Sequence, residues 1–232
     1  MKSHLRTLGL AAAHAAAVLT LAASSVHAQS ILRYDINNVR LSGFGSFTHV
    51  YTGGMITSLG GGLAAYTGGI GSLNDGVTAV GQNGNMLFQA SDNTVITLFL
   101  SGSTKLSSFT VFGGLFPAAN ILPGTLTGAT IKFGGLQAIL ASTPSGGACF
   151  SGQCDDTFNF AGTVFDGVTG STIEFSNFLG GFTQSGERFF NASEFSIVAA
   201  QSTVPEPSSF ALMLVGGALV TVVSKRRQRT RA

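Results

Sequence analysis

Residues 171–179 read STIEFSNFL, and the order of polar and apolar residues in this stretch sets the expected fold. Counting every second position places Ile173, Phe175 and Leu179 on one face of an extended chain and polar residues on the other. Alternation with a period of two predicts a β-strand with one buried face.

Similar patterns recur along the chain. Residues 95–100 read VITLFL, which is apolar on both faces and predicts a central strand that is covered on both sides. Residues 194–199 alternate again, with Phe195 and Ile197 on the apolar face. Residues 52–84 are mostly glycine, small and polar residues, and we expect them to be irregular or to form a flexible face. Further strands are predicted at 32–36, 39–51, 85–90, 105–112, 130–140 and 157–165.

Glycine and turn residues separate these segments. Glycine pairs or triplets begin at positions 53, 60, 68, 113, 134, 146 and 180. Each glycine costs about 1 kcal/mol in a helix interior, so long helices are disfavoured. Asn74-Asp75-Gly76 and Asp166-Gly167 predict turns. We therefore expect an all-β chain, with residues 29–203 forming a single β-sandwich or jelly-roll-like domain.

The N-terminus is typical of an export signal. Lys2 and Arg6 precede an apolar stretch at 8–23, and Val26-His27-Ala28 has the small-x-small form of a signal peptidase site. Residues 1–28 are therefore predicted to be a signal peptide that is cleaved between Ala28 and Gln29. A retained N-terminal anchor is the alternative.

The C-terminal segment, residues 204–232, has three parts. Val204-Pro205-Glu206-Pro207 leads into an uncharged run at 210–223, and the basic residues of 225–232 end the chain. A helix over about 208–224 would rise roughly 25 Å, against about 30 Å for the hydrocarbon core of a bilayer. The sequence thus predicts a short transmembrane helix whose basic tail stays in the cytoplasm.

This order of motif, apolar helix and basic tail resembles the PEP-CTERM sorting segment of Gram-negative bacteria, with motif residues 205–207. The resemblance is limited to residues 204–232. It implies an exported protein that is held transiently in the inner membrane, cut near Val204-Pro205-Glu206-Pro207 by an exosortase, and delivered to the cell surface or medium. The proteins of this class belong to polysaccharide-producing biofilm bacteria, which suggests an exopolysaccharide as a further partner. A permanently anchored surface protein is the alternative.

The charge of the exported body excludes one class of partner. The whole chain has a formal net charge of +2, but residues 29–203 hold five cations and nine acids, which gives 5 − 9 = −4. The apparent basicity comes from the two terminal segments. Without a basic stripe there is no electrostatic footprint for nucleic acid.

Two cysteines, Cys149 and Cys154, form the sequence CFSGQC. Because an exported protein meets an oxidising compartment, we predict a disulfide between them. A redox or zinc pair would need a different spacing or further ligands nearby.

Residues for catalysis or cofactor binding do not form a recognisable set. His49 is the only histidine of residues 29–203, and it is accompanied by neither a Gly-x-Ser-x-Gly elbow nor a Walker A loop. No cofactor is expected. Asp155 and Asp156 are weak candidates for calcium ligands together with loop carbonyls. A continuous strand at 157–165 would place Asp156 and Asp166 about 33 Å apart, too far to share one ion.

These observations predict a non-enzymatic surface or extracellular-matrix protein with a structural or adhesive role. The alternative is a secreted carbohydrate-binding module or carbohydrate-active enzyme on a jelly roll. Sugar platforms are usually exposed aromatic rings; the chain has no tryptophan, which leaves Tyr34, Tyr51 and Tyr66 as candidates.

Overall fold

The computed structural model describes residues 30–40, 47, 49–80, 83–114, 125–144, 153–180, 182–184 and 186–200. Most of these residues lie in strands, and the described part also contains a short 3-10 helix, η1 (Ala90–Asp92). The prediction of an all-β fold is confirmed for this part of the chain. The strands are β1 (Ile31–Arg40), β2 (Tyr51–Thr52), β3 (Met55–Gly60), β4 (Leu63–Gly71), β5 (Met86–Gln89), β6 (Val95–Gly114), β7 (Leu126–Phe133), β8 (Leu136–Ala141), β9 (Thr143–Pro144), β10 (Gln153–Asn159), β11 (Thr169–Gly180), β12 (Phe182–Gln184), β13 (Glu187–Ala192) and β14 (Glu194–Ala199).

Strand β6 is 20 residues long and belongs to two groups of strands. Its first half pairs with β1 on one side and β11 on the other, so that Ile96 lies between Ile36 and Phe175. Its second half pairs with β10 and β14, so that Phe109 lies between Phe158 and a residue of β14. One strand therefore connects both groups through backbone hydrogen bonds.

The order of strands follows from this sharing. Around the first half of β6 the order is β2-β4-β1-β6-β11-β7-β8, and β3 also pairs with β4. Around the second half, β9, β10, β6 and β14 follow one another, and β12, β13 and β5 form a separate small sheet. Neighbouring strands are antiparallel, as expected for strands joined by short turns.

A bulge in the middle of β6 turns the strand from one group to the other. Residues 101–103 are exposed, and the pairing with β11 slips at this point. Ile96, Leu98 and Leu100 point inward before the bulge, and Leu106 still does so after it. The change to odd inward positions falls between Leu106 and Phe109, where the pairing with β14 slips as well. An inserted residue changes the inward positions in this way and bends the strand.

Aromatic rings fill the space between the two groups. Phe175 of β11 lies 5.4 Å from Phe109 and 5.4 Å from Phe158, measured between ring centroids, and 6.1 Å from Phe195. All four side chains are at most 1% exposed. The inner faces of the two groups therefore pack against each other in a sandwich-like arrangement with a phenylalanine core.

The strand predicted at 95–100 is central, but it is not fully covered on both faces. Ile96, Leu98 and Leu100 are buried, whereas Phe99 on the opposite face is only half-buried. The guanidinium carbon of Arg33 lies 3.4 Å from the centre of the Phe99 ring. A cation from the neighbouring strand thus covers the outer face in place of a second layer.

The prediction that Leu179 points inward with Ile173 and Phe175 is wrong. Asn177 has a positive φ of 48°, and the pairing of β11 with β7 slips between Ser176 and Leu179. This bulge shifts the alternation by one residue, so that Phe178 is 5% exposed and Leu179 is 37% exposed.

Three predicted strands have the wrong extent, namely those at 39–51, 130–140 and 157–165. The segment 39–51 is not one strand, because Val39 belongs to β1 and Tyr51 begins β2. The segment 130–140 is a hairpin of β7 and β8, closed by Gly134 and Gly135 with φ of 56° and 83°. Two consecutive positive φ values are the geometry of a two-residue hairpin turn.

The strand predicted at 157–165 ends with β10, and a series of tight turns follows it. The N–H groups of Thr163 and Asp166 donate to the carbonyls of Phe160 and Thr163. The inferred separation of about 33 Å between Asp156 and Asp166 assumed a continuous strand, so it does not hold.

Residues 52–84 are more regular than expected. Strands β3 and β4 form a hairpin whose turn is Gly60-Gly61-Gly62, with φ of 85°, 60° and 81°. All six residues of β3 are exposed. The prediction of an irregular segment is therefore wrong for this part, because triple glycine supplies the left-handed conformations of a tight turn.

Candidate functional site

The predicted processing sites lie outside the described residues. These are Ala28 and Gln29 for signal peptidase, and Val204, Pro205, Glu206 and Pro207 for the sorting motif. The predicted helix at 208–224 and both predicted domain boundaries lie outside them too. Within the described part of the chain, no helix has the length and apolar character needed to span a membrane.

Cys154 lies on β10 and is buried. Cys149 is outside the described residues, so the disulfide between the two remains a prediction.

The two calcium candidates have different surroundings. Asp155 is half-buried, whereas Asp156 is fully buried. One Asp156 oxygen, Oδ2, accepts a hydrogen bond of 2.8 Å from the N–H of Leu126, and Oδ1 has no partner within the described residues. Burial raises the pKa of Asp156 to about 7; the Leu126 hydrogen bond lowers it and the charge of Asp155 raises it. Consecutive strand residues point to opposite faces, so one ion would not reach both side chains easily.

No group of three or more histidine, cysteine or acidic side chains suited to a metal ion occurs among the described residues.

His49 and the three tyrosines form a packed cluster rather than an exposed platform. The His49 ring lies 5.4 to 6.1 Å from the rings of Tyr34, Tyr51 and Tyr66. The Tyr34 hydroxyl and His49 Nε2 are 2.7 Å apart, and Tyr34 is fully buried. Burial lowers the pKa of His49 to about 4, so the imidazole is neutral at pH 7. The expectation that these tyrosines could stack on sugars is not met for Tyr34 and Tyr66, which are buried.

An open pocket of about 160 Å³ lies where η1, the bulge of β11 and strand β13 meet. We call it the Arg188 pocket. Asn93 and Thr94 line it from the end of η1, residues 177–179 line it from β11, and Arg188 lines it from β13, together with Ala90.

Two left-handed asparagines shape the Arg188 pocket. Asn93, with φ of 53°, ends η1, and its N–H donates to the carbonyl of Ala90. Asn177, with φ of 48°, forms the bulge of β11. Asparagine adopts this conformation more easily than most residues, which explains its use at both positions.

The polar atoms of the Arg188 pocket are partly engaged. Asn93 Nδ2 donates to the carbonyl of Ser91, and Asn177 Nδ2 donates to Thr130 Oγ1, both at 3.2 Å. These bonds hold the amides in place through their nitrogen atoms. Arg188 is exposed, and within the described residues its guanidinium forms no ion pair.

Unlike Arg188 of β13, the cations of strands β1 and β7 form ion pairs within the described residues. Arg33 pairs with Asp35, Arg40 with Asp92, and Lys132 with Glu174. The Arg40 to Asp92 pair is bidentate, with bonds of 2.9 and 2.8 Å, so the acid of η1 is already neutralised next to the pocket.

Sequence reasoning missed Asn93, Asn177 and Arg188. They are far apart in the chain and belong to no motif. The available signal was the asparagine that interrupts the alternation of STIEFSNFL, since asparagine is common where a strand bulges into the left-handed region.

No protein-family model matches the chain, and no curated protein matches it. Two solved structures resemble it distantly. One is the family 32 CBM from C. perfringens NanJ in complex with galactose, with 17% identity, a TM-score of 0.33, and coverage of 54% of this chain and 81% of that one. The other is CpGH89CBM32-5 from Clostridium perfringens, in complex with GalNAc-beta-1,3-galactose, with 17% identity, a TM-score of 0.35, and coverage of 67% and 96%.

Proposed function

We propose that the chain is an exported, exosortase-sorted surface or matrix protein with a structural or adhesive, non-enzymatic role. The observation that carries the proposal is the order of segments along the sequence. The last strand of the described residues ends at Ala199, and four residues separate it in sequence from Val204-Pro205-Glu206-Pro207, which is followed by the apolar run and the basic tail.

The intact mass of the protein recovered from its own cells tests this proposal. We expect the mature chain to begin at Gln29 and to end near residues 204–207, without the apolar run and the basic tail. A chain that keeps its tail and stays in the inner membrane would favour the permanently anchored alternative. A chain that is soluble in the cytosol with both ends intact would contradict export.

A second candidate function is a secreted glycan-binding module, and the Arg188 pocket favours it. Its lining combines amide groups, a threonine, an arginine and apolar contact from Phe178 and Leu179. A few placed polar groups beside an apolar surface are typical of small-ligand sites. We expect a glycan screen of the mature protein, with and without calcium, to give a signal. A screen that is negative under both conditions would count against this candidate and leave the first proposal standing.

A further inference from the structure

We infer that the Arg188 pocket binds the carboxylate of an acidic sugar, namely a hexuronate unit of a polysaccharide. This inference rests on the proposed glycan-binding function and adds the chemical class of the ligand. It is argued from the donors, the acceptors and the size of the pocket.

The donor is Arg188. Among the residues that line the pocket it is the only one that carries a charge. A guanidinium presents its N–H groups in a planar fork that matches a carboxylate. Within the described residues Arg188 forms no ion pair, so its guanidinium is available to an anion. The nearest acid in sequence, Glu187, accepts hydrogen bonds from the backbone N–H groups of Ser91 and Arg188.

The acceptors are the amide oxygens of Asn93 and Asn177. Each amide donates one N–H to the protein, and within the described residues neither oxygen has a hydrogen-bond partner. Carbonyl oxygens accept from hydroxyl groups and repel the oxygens of an anion. A ligand that uses both asparagine oxygens and Arg188 must therefore carry hydrogen-bond donors next to an anionic group. A hexuronate does so with its hydroxyls and its carboxylate, whereas an inorganic phosphate dianion offers no comparable set of donors.

The size of the pocket fits one sugar ring. The volume of the pocket is about 160 Å³. This is below the usual range of about 300–1,000 Å³ for larger ligands. Leu179, which is 37% exposed, supplies apolar surface for the ring face.

The test measures binding to the full-length chain in a mild non-ionic detergent. The probes are the methyl glycosides of glucuronic and galacturonic acid, and each is compared with its neutral hexose counterpart and with acetate. We expect each uronate to bind about tenfold or more tightly than its neutral counterpart, and acetate to bind more weakly than the uronate. The affinity should fall as salt is added, because an exposed ion pair is screened.

Arg188→Gln should weaken uronate binding about 10- to 100-fold and bring it close to the neutral sugar, which is the range expected for a lost charged hydrogen bond. Lys105→Gln is the matched control, since it removes an exposed cation from β6 outside the pocket lining, and it should leave binding unchanged. Asn93→Asp is a second pocket variant, which keeps a residue that tolerates positive φ and adds a repelling charge. Circular dichroism checks that each variant is folded.

The outcomes separate this inference from the proposed function. Equal binding of uronates and neutral hexoses, or binding of neutral hexoses alone, overturns the carboxylate inference and leaves glycan binding in place. Uronate binding that is unchanged in both Arg188→Gln and Asn93→Asp overturns the site. Acetate binding as tight as uronate binding would show that the sugar ring adds nothing to affinity, and it overturns the assignment of a sugar ligand. If no sugar binds, both the inference and the glycan-binding candidate fail.

Discussion

At the scale of single residues, two buried carboxyl groups have no cation beside them. Asp156 is fully buried and Glu194 is 7% exposed. Glu194 Oε2 accepts a hydrogen bond from the N–H of Gly76, and burial raises its pKa to about 7, as it does for Asp156. Both groups favour the protonated form in the folded protein, so they make its stability depend on pH.

The sign of this dependence follows from proton binding. Between an unfolded pKa of 3.8 and a folded pKa of about 7, folded Asp156 keeps a proton that the unfolded chain releases. Its contribution is therefore present at pH 4 and is lost as the pH rises through 7. Glu194 acts in the same direction. His49, with its pKa lowered from 6.5 to about 4, acts in the opposite direction, since unfolded His49 binds the proton first.

Asp156→Asn should raise the stability at pH 8 and flatten its decline between pH 5 and 8. The gain at pH 8 should be on the order of 2 kcal/mol, or about 4–8 °C in Tm, because a neutral amide replaces a buried charge. Thermal melts followed by circular dichroism at several pH values measure it. Glu174→Gln is the control, since Glu174 is partly exposed and pairs loosely with Lys132 at 3.8 Å. An Asp156→Asn variant with the same pH slope as the wild type would contradict the assignment.

Buried polar side chains such as that of Asp156 could be predicted from the sequence only in part. The sequence pointed to Asp155 and Asp156 as a pair, but the burial of Asp156 depends on which face of β10 meets the core. Residues 191–193 read Asn-Ala-Ser, which has the form of an N-glycosylation motif, yet Asn191 is fully buried and bonds both backbone groups of Gly114.

At the scale of elements, the turn of the β7–β8 hairpin contains two glycines. One would suffer only backbone strain if a Cβ were added, and the other would suffer steric overlap as well. Gly134 and Gly135 both have positive φ. A Cβ on Gly135 would meet no atom within 4 Å, whereas a Cβ on Gly134 would lie 2.3 Å from Val168 Cγ1 and 2.6 Å from the carbonyl oxygen of Thr169. The two positions therefore differ in crowding and share the same conformational demand.

Gly135→Ala should lower the free energy of unfolding by about 1 kcal/mol, the cost of a left-handed L-residue. Gly134→Ala should cost at least about 2 kcal/mol more, because a backbone oxygen cannot move aside freely. Urea titrations give both values, and Gly135→Asn should recover part of the first loss. Equal losses at the two positions would contradict the packing of Val168 and Thr169 against this turn.

Element positions were easier to predict from the sequence than element ends. Residues 95–100 lie in a strand, as their apolar run predicted, and residues 194–199 lie in a strand, as their alternation predicted. The alternation failed at Asn38 and Asn177, both with positive φ, because a single left-handed residue resets the inward face. Counting every second residue assumes an extended backbone, so it cannot predict where a left-handed residue changes the inward face.

At the scale of the whole molecule, the sharing of β6 predicts one cooperative unfolding transition. Tyrosine fluorescence reports the cluster near β1 and β4, and far-UV circular dichroism reports all strands. We expect the two probes to coincide in urea, because losing either half of β6 removes partners from the other.

Phe195→Ala in β14 should shift both curves equally and cost about 3–5 kcal/mol, since the Phe195 side chain is buried against Phe109. Val198→Ala on the same strand is the control, and it should stay within about 0.5 kcal/mol because Val198 is 53% exposed. Separate transitions for the two probes would contradict the shared strand.

The class of the fold was accessible from the sequence, but its connectivity was not. Alternation, glycine turns and missing helix signals predicted an all-β body. The doubling of β6 depends on a bulge at residues 101–103, whose Ser-Gly-Ser sequence is indistinguishable from an ordinary loop. The Arg188 pocket was hidden for the same reason, since it depends on which strands meet.

The doubling of β6 also sets the order in which the chain can complete its fold. Its two halves are completed by β1, which begins at Ile31, and by β14, which ends at Ala199. A chain that emerges from its amino end can assemble the earlier strands, yet the phenylalanine interior stays open to water until the final strand arrives. The sandwich can therefore close, and its interior become resistant to proteases, only when nearly all of residues 31–199 are present.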